Sequence, residues 1–335
     1  MNMALKIALF GVGLPVLTSA VVLLGSWFML KNDSEASVEQ ESEQTPSPSG
    51  RARHWGWLAT LAVSLGYMTA HIGLLGLPKF AQSDAVPRLF WLLLALLALV
   101  VLEVLLQLPA VVKWLLRTAL LAGAAWLMFG SMTKTGAWTQ NQAAIYITSM
   151  VAGGLFFWAC WQYLVSQLST GTSTWLMMVF GIGISILLAL SSSAKLAQLA
   201  GAAVAGMGVW WVLMLSGKWL KGIPSSAEGS VPAFAFLLIC LCATGHFEAE
   251  LTKLSVALIL ASPLLLLVAH KFVQLSGSWK PAILKSVAML LPIIIAAAFT
   301  FSKGAVQKKQ DDDDDDYDDD YSWSIPKPEY PSRLT

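Results

Sequence analysis

Glu103, Gln107 and His71 stand inside long apolar stretches, where polar groups are candidates for function because burying them in a membrane is costly. Glu103 lies in the run Leu-Val-Val-Leu-Glu-Val-Leu-Leu-Gln, which ends in Gln107, four residues further on and on the same helix face. His71 lies in an earlier apolar stretch. Glu103 could bind a cation or exchange a proton on a transport path, and His71 could relay protons with it.

Structural roles are the alternative for the same residues. Burial could keep the Glu103 carboxyl neutral, or Lys113 or Arg117 in the next apolar stretch could pair with it. Tyr67, four residues before His71, could hydrogen-bond the imidazole. A haem ligand is a further interpretation of His71.

A second polar group, His246, Glu248 and Glu250, closes a later apolar stretch. On a helix His246 and Glu250 share a face, and an imidazole with two carboxylates is a ligand set that metal ions accept. The alternative is a polar loop in which Glu250 pairs with Lys253. The sequence has no arrangement typical of a serine, cysteine or zinc hydrolase and no glycine-rich phosphate loop, so it does not favour an enzyme and predicts no cofactor.

Two similar motifs, Phe10 to Pro15 and Phe180 to Ser185, each contain a Gly-x-Gly sequence. In a chain of ten spans each motif falls in the first span of a half, and halves of five spans would be inverted relative to each other. Glycine- or proline-interrupted helices at corresponding places mark the substrate site in one class of transporter. The residues concerned are Gly11, Gly13, Pro15, Gly181 and Gly183.

The composition decides the broad class of the protein. Of 335 residues, 56% are hydrophobic and 12% are charged, whereas soluble globular chains carry about 25% charged residues. This excludes a water-soluble enzyme. The formal net charge of +1 also excludes a nucleic-acid binder built on a basic surface.

Apolar stretches long enough to cross a bilayer recur along the chain. About 20 mostly apolar residues span the hydrocarbon core, so the sequence predicts an all-α, polytopic transmembrane helix bundle of nine or ten spans. Lys and Arg are almost equally divided between the two sides, which favours neither orientation. The stretches are 7–30, 55–78, 89–108, 112–131, 143–164, 174–191, 195–216, 231–247, 251–270 and 282–302.

The tryptophans support this arrangement of spans. Most of the 15 tryptophans, Trp161 among them, fall near predicted span ends, where an indole ring prefers the headgroup zone. Trp126 and Trp158 lie further inside their spans and are expected to fill space between helices. We therefore predict an N-terminal anchor at 1–30 and a bundle at 55–302.

Two polar segments flank the bundle. Residues 31–54 are rich in Glu, Ser, Gln and Pro and predict a flexible linker. Residues 303–335 predict a disordered acidic tail, because blocks of like charge repel each other and often bind partners. We expect the tail to bind a basic protein; a sponge for divalent cations and a solvated tail without function are the alternatives. Its binding residues would be Asp311, Asp312, Asp313, Asp314, Asp315, Asp316, Asp318, Asp319, Asp320 and Trp323.

A short pattern resembles a known group of proteins. It reads Gly66-Tyr67-x-x-x-His71-x-Gly73-Leu74-x-Gly76-x-Pro78, continues with Ser-Asp-Ala at 83–85, and reaches Glu103 after an apolar helix. It is similar to a group of uncharacterised multi-pass membrane proteins of planctomycete-type bacteria, which have no assigned activity. The resemblance implies a bacterial cytoplasmic (inner) membrane.

The sequence thus predicts a non-catalytic integral membrane protein, a component of a membrane assembly whose acidic tail docks partners. The alternative function is a secondary transporter or channel that uses Glu103 and His71. The expected partners are the lipid bilayer and a basic protein, and no nucleic acid.

Overall fold

The computed structural model describes residues 3–38, 49–79, 84–215, 227–272 and 280–315. All of the regular secondary structure in these ranges is helical, and ten helices are long and apolar enough to cross a membrane. The prediction of an all-α, multi-pass bundle with ten spans is therefore confirmed.

The ten long helices are numbered here in chain order. A π-helical stretch, Ile7–Gly13, leads into the first helix, and a short 3-10 turn, Glu228–Ser230, leads into the eighth. The helices are α1 Leu14–Val38, α2 Ser49–Leu75, α3 Ala85–Leu105, α4 Ala110–Phe129, α5 Gln140–Gln167, α6 Thr170–Leu190, α7 Ala194–Leu215, α8 Val231–Glu248, α9 Lys253–Phe272 and α10 Lys280–Asp315.

Because successive spans run in opposite directions, the odd-numbered helices begin on one membrane face, named face A, and end on the other, face B. Eight helices form a closed ring in the order α2, α3, α4, α5, α9, α10, α6, α7, since each packs against its two neighbours in that order. α8 passes through the middle of the ring and packs against α2, α3, α4, α5, α6, α7 and α9. α1 lies outside, against α2 and α7.

The central position of α8 follows from its composition. Every residue from Val231 to Cys242 is buried, and a helix that is apolar on all sides is buried on all sides. Pro232 lies in the first turn, where its missing N–H breaks no helical hydrogen bond. The middle of the ring is therefore occupied by α8.

Small residues let α1 lie close to the ring. The Ser19 hydroxyl donates a hydrogen bond of 2.9 Å to the carbonyl oxygen of Ala62 in α2. A Cβ atom at Gly66 would lie 2.9 Å from Ser19 Oγ, and one at Gly206 would lie 3.1 Å from the same atom. Such close approach of small residues is how helices associate in lipid. The predicted N-terminal anchor is thus packed against the bundle.

Small residues also allow α6 and α7 to lie close together. Ser185 Oγ in α6 donates a 2.7 Å hydrogen bond to the carbonyl oxygen of Ala197 in α7. A Cβ at Gly181 would clash with Val204 Cγ2, so a larger residue there would force the Val204 side chain or the two helices to shift.

Helical backbone continues into both predicted polar segments. α1 runs on to Val38 and α2 begins at Ser49, so both ends of the predicted linker are helical, and 39–48 lie outside the described residues. α10 runs on to Asp315, beyond its apolar part at 282–302. This continuation fits the tendency of a helix, once formed, to extend residue by residue.

Candidate functional site

Glu103 is paired with Arg117. The Arg117 Nε donates to Glu103 Oε1 at 3.0 Å, and Nη2 donates to Oε2 at 2.8 Å, which joins α3 to α4 by a two-pronged salt bridge. Both residues are buried, with 7% and 6% of their surface exposed. Of the sequence alternatives, pairing with Arg117 is the one that the structure contains. Glu103 therefore has its negative charge balanced and both oxygens occupied.

Three other side chains complete this cluster. Arg117 Nη1 donates a 2.7 Å hydrogen bond to Gln162 Oε1 of α5. The guanidinium carbon lies 5.1 Å from the ring centroids of both Trp114 and Trp158, a cation–π distance. Planar guanidinium groups suit such sites because they stack on rings and bond carboxylates with two N–H groups. The cluster thus ties α3, α4 and α5 together, about 10 Å from face B, since Arg117 is seven residues into α4.

Gln107 does not join Glu103, contrary to the prediction. α3 ends at Leu105, and Gln107 is exposed with a φ of 50°, outside the helix on which the shared face depended. The cause is Pro109, which disfavours helical backbone at the residue before it and lacks the N–H needed to continue the helix.

His71 belongs to a buried polar stripe on α2. Thr60, Ser64, Tyr67 and His71 recur at helical spacing and are all at most 1% exposed. Thr60 Oγ1 donates to the carbonyl oxygen of Gly229. In the part of the chain that the structure describes, Ser64 Oγ, Tyr67 OH and His71 Nδ1 have no hydrogen-bond partner. Buried polar atoms rarely lack a hydrogen-bond partner, so this stripe is the second candidate site.

Two sequence interpretations of His71 are corrected by this arrangement. The Tyr67 and His71 rings are 6.0 Å apart at their centroids and do not hydrogen-bond each other. His71 packs against Phe90, at 5.5 Å, near the start of α3. Thirteen residues separate Phe90 from Glu103 on α3, about 20 Å of helix. His71 and Glu103 therefore lie near opposite faces and cannot form a direct relay.

Neither glycine motif interrupts a helix. Gly11 and Gly13 lie in the π-helical stretch before Pro15, and the chain stays helical throughout. Pro15 has no N–H for the carbonyl four residues earlier and crowds it, which favours this local widening. Gly181 and Gly183 lie in the regular helix α6 and allow close packing against α7 and α10. The two motifs therefore do not form a matched pair of broken helices.

His246, Glu248 and Glu250 do not form a metal site. His246 Nδ1 donates to the carbonyl oxygen of Leu251 at 2.6 Å, and Glu250 adopts a left-handed φ of 58° just past α8. Glu248 instead faces the backbone N–H of Ala85 at the start of α3. Within the described ranges, no three His, Cys, Asp or Glu side chains are grouped as metal ligands.

Sequence reasoning did not single out two polar residues that lie inside apolar helices. Gln162 is one; it is half-buried and has no distinguishing signal other than an amide inside an apolar helix. Lys285 is the other, with 8% of its surface exposed in α10 beside His270. A lysine inside an apolar stretch is a recognisable signal, and Lys285 could have been found by it.

The predicted docking residues of the tail fall in two groups. The backbone of Asp311, Asp312, Asp313, Asp314 and Asp315 forms the last part of α10. Asp316, Asp318, Asp319, Asp320 and Trp323 lie outside the described residues.

No family model, curated protein or solved structure matches this chain. The arrangement of its own residues therefore carries the functional argument.

Proposed function

We propose that this protein is a non-catalytic component of an assembly in the bacterial inner membrane, and that its acidic C-terminal segment docks a basic partner. The observation that carries the proposal is the filled centre of the bundle. α8 is buried from Val231 to Cys242 inside the ring, which suits a rigid support rather than a path for solutes.

The buried charges support the same function. Glu103 and Arg117 neutralise each other and link α3, α4 and α5, which is a structural use of intramembrane charge. Neither group is left free to bind a transported ion.

The end of α10 supports a docking role. Its helix continues to Asp315, so 311–315 stand about 14 Å or more beyond the apolar end at Ser302. Negative charges at a helix C-terminus oppose the helix dipole, and like charges one turn apart repel each other. A cationic partner would relieve both effects, so this end of the helix is suited to binding a basic surface.

The proposed docking by the tail can be tested by co-purification. When the full chain is purified in mild detergent from its native membrane, we expect a basic protein to remain bound in stoichiometric amount, identified by mass spectrometry. A chain that ends at Gln310 should lose it. A full-length variant with the nine aspartates of 311–320 changed to asparagine should lose it too, because charge and not length provides the binding.

The dependence of partner binding on salt concentration is the control for this experiment. Binding by exposed charges should weaken as ionic strength rises and the Debye length shortens. The same bound proteins in all three preparations, or none in any, would contradict the docking function.

A secondary transporter or channel is the second candidate, and the α2 stripe is the observation that favours it. Ser64, Tyr67 and His71 offer polar atoms without partners in the described structure, aligned along one helix from mid-membrane towards face A. Such groups suit transient binding of water, a proton or a small polar solute.

Proton flux into vesicles tests this second function. If the stripe conducts protons, proteoliposomes under an imposed pH gradient should take up protons, and His71→Leu should reduce the flux to that of protein-free vesicles. His270→Leu is the matched control, because His270 also has a buried Nδ1 without a partner in the described structure but lies at the end of α9. Equal flux with and without protein would exclude a proton path.

A further inference from the structure

A cavity of about 290 Å³ lies between α5, α8 and α9. Its polar end is at face A, where Tyr146, His246 and Lys253 line it near the start of α5, the end of α8 and the start of α9. Its inner end is lined by Phe157 and Leu260. Leu260 is seven residues along α9 from Lys253, so the cavity extends about 10 Å into the apolar layer.

Aromatic packing holds the polar end of the cavity in shape. The Phe247 ring lies 4.8 Å from the Trp138 ring and 5.5 Å from the Tyr146 ring, and Trp138 and Tyr146 are 4.9 Å apart. His246 is fixed by its hydrogen bond to the Leu251 carbonyl. Aromatic rings of this kind are typical of the headgroup level of a membrane protein. The cavity mouth is therefore preformed at the depth of lipid headgroups.

Lys253 provides a positive charge at this mouth. Its side chain is exposed, and its Nζ lies 5.6 Å from the centroid of the Tyr146 ring. No described carboxylate forms an ion pair with it, although Glu250 is only three residues away. The ammonium group is thus available to an anion outside the protein.

The cavity is also open to the bilayer. Ile145 lines it and yet has 63% of its surface exposed, so the rim of the cavity reaches the surface of the bundle. An acyl chain can therefore enter from the surrounding lipid without crossing water. A cavity of about 290 Å³ is at the lower end of the size range of small-molecule sites, so it suits part of one acyl chain and not a whole lipid.

We propose that this cavity is a lipid site that holds part of one acyl chain of an anionic phospholipid, with the lipid phosphate against Lys253. The apolar inner part of the cavity would hold the acyl chain, and Lys253, which has no ion pair among the described residues, would bind the anionic headgroup. The exposed rim at Ile145 would let the chain enter from the bilayer. This site is independent of the acidic tail and of the polar stripe on α2.

Photoreactive lipids test the proposal on the full chain. The protein is placed in phosphatidylcholine nanodiscs, which expose both faces, with a trace of phosphatidylglycerol that carries a diazirine in its acyl chain. Labelled peptides are then mapped by mass spectrometry. We expect labelling at cavity residues such as Met150 and Ile259, and about fivefold less with the same diazirine chain on phosphatidylcholine, the ratio expected for one lysine beside anionic lipid.

Two variants, each with a matched control, test the binding of the acyl chain and the binding of the headgroup separately. Ala243→Leu fills the cavity and should abolish labelling there, whereas Ala152→Leu, on the exposed side of α5, should not. Lys253→Gln should remove the preference for phosphatidylglycerol, whereas Lys195→Gln, at the start of α7 on the same face, should keep it.

Particular labelling results would contradict the lipid site or its preference for an anionic headgroup. Labelling that survives Ala243→Leu, or that is no stronger than at lipid-facing residues such as Val287, would overturn the site. Equal labelling by the two lipids would overturn the anionic assignment. Because Lys253→Gln is a surface change, its result stands even if Ala243→Leu disturbs folding.

Discussion

Replacing Arg117 with leucine is expected to lower the free energy of unfolding by about 3–5 kcal/mol, because it leaves the Glu103 carboxylate buried without its counter-charge. Glu103→Leu should cost a similar amount, since it leaves the buried guanidinium with no carboxylate and only Gln162 and two tryptophan rings as partners. The double variant should be close to the wild type, as well-packed apolar residues often replace a buried ion pair without loss. Unfolding by SDS titration from mixed micelles measures all three.

Lys113→Leu is the control for this cycle. Lys113 is on the same helix, one turn before Arg117, and has no ion pair among the described residues. Because this half-buried lysine lies in the first turn of α4 and has no such ion pair, its replacement should change the unfolding free energy by less than about 1 kcal/mol. If Arg117→Leu is no worse than Lys113→Leu, or if the two single losses simply add in the double variant, the pair is not the buried unit described here.

The same cycle separates the functional proposals. A transporter that depends on a free Glu103 carboxylate should fail in the double variant, however stable it is. A docking component should keep its partner in the double variant, because the tail is unchanged.

The spans were predictable because the bilayer imposes a length and a composition whatever the packing. Ten stretches met both conditions, and ten helices meet them in the structure. The sequence left the state of Glu103 open between a functional carboxylate, a carboxyl kept neutral by burial, and a pair with Lys113 or Arg117. Choosing the right one requires knowing which side of α4 faces α3. Because α4 has apolar residues on both its core-facing and its lipid-facing side, its sequence does not show how the helix is rotated about its axis.

The tryptophans show the same limit. Trp161 was expected at a headgroup boundary but is fully buried, at 0% exposure, against Phe180 and Phe234. Trp126 was expected to pack between helices but is 57% exposed. Lipid and protein interior are equally apolar, so hydrophobicity does not say which side of a membrane helix faces inward. The close packing of α1 against Gly66 and Gly206 was missed for a related reason, since these glycines are distant in sequence from Ser19, which they approach.

Gly73→Ala is expected to displace the first span and to lower the free energy of unfolding by about 1–3 kcal/mol, the usual cost of overpacking. The new Cβ would clash with Phe10 Cδ1 and would lie 2.8 Å from Phe10 Cβ. Because Phe10 Cβ is next to the backbone, rotating the ring cannot relieve the clash, and the π-helical stretch at Ile7–Gly13 has to move.

The sign of the effect makes this change informative, because alanine is the better helix former and stabilises an exposed helix by up to about 1 kcal/mol relative to glycine. Gly123→Ala, whose Cβ would meet nothing within 4 Å, should therefore be neutral or stabilising in the same SDS titration. Adding Phe10→Ala to Gly73→Ala should restore part of the loss by making room for the new methyl group. If Gly73→Ala matches Gly123→Ala, the π-helical stretch Ile7–Gly13 does not pack against α2 at this point, and the first span is then the separate anchor that the sequence alone predicts.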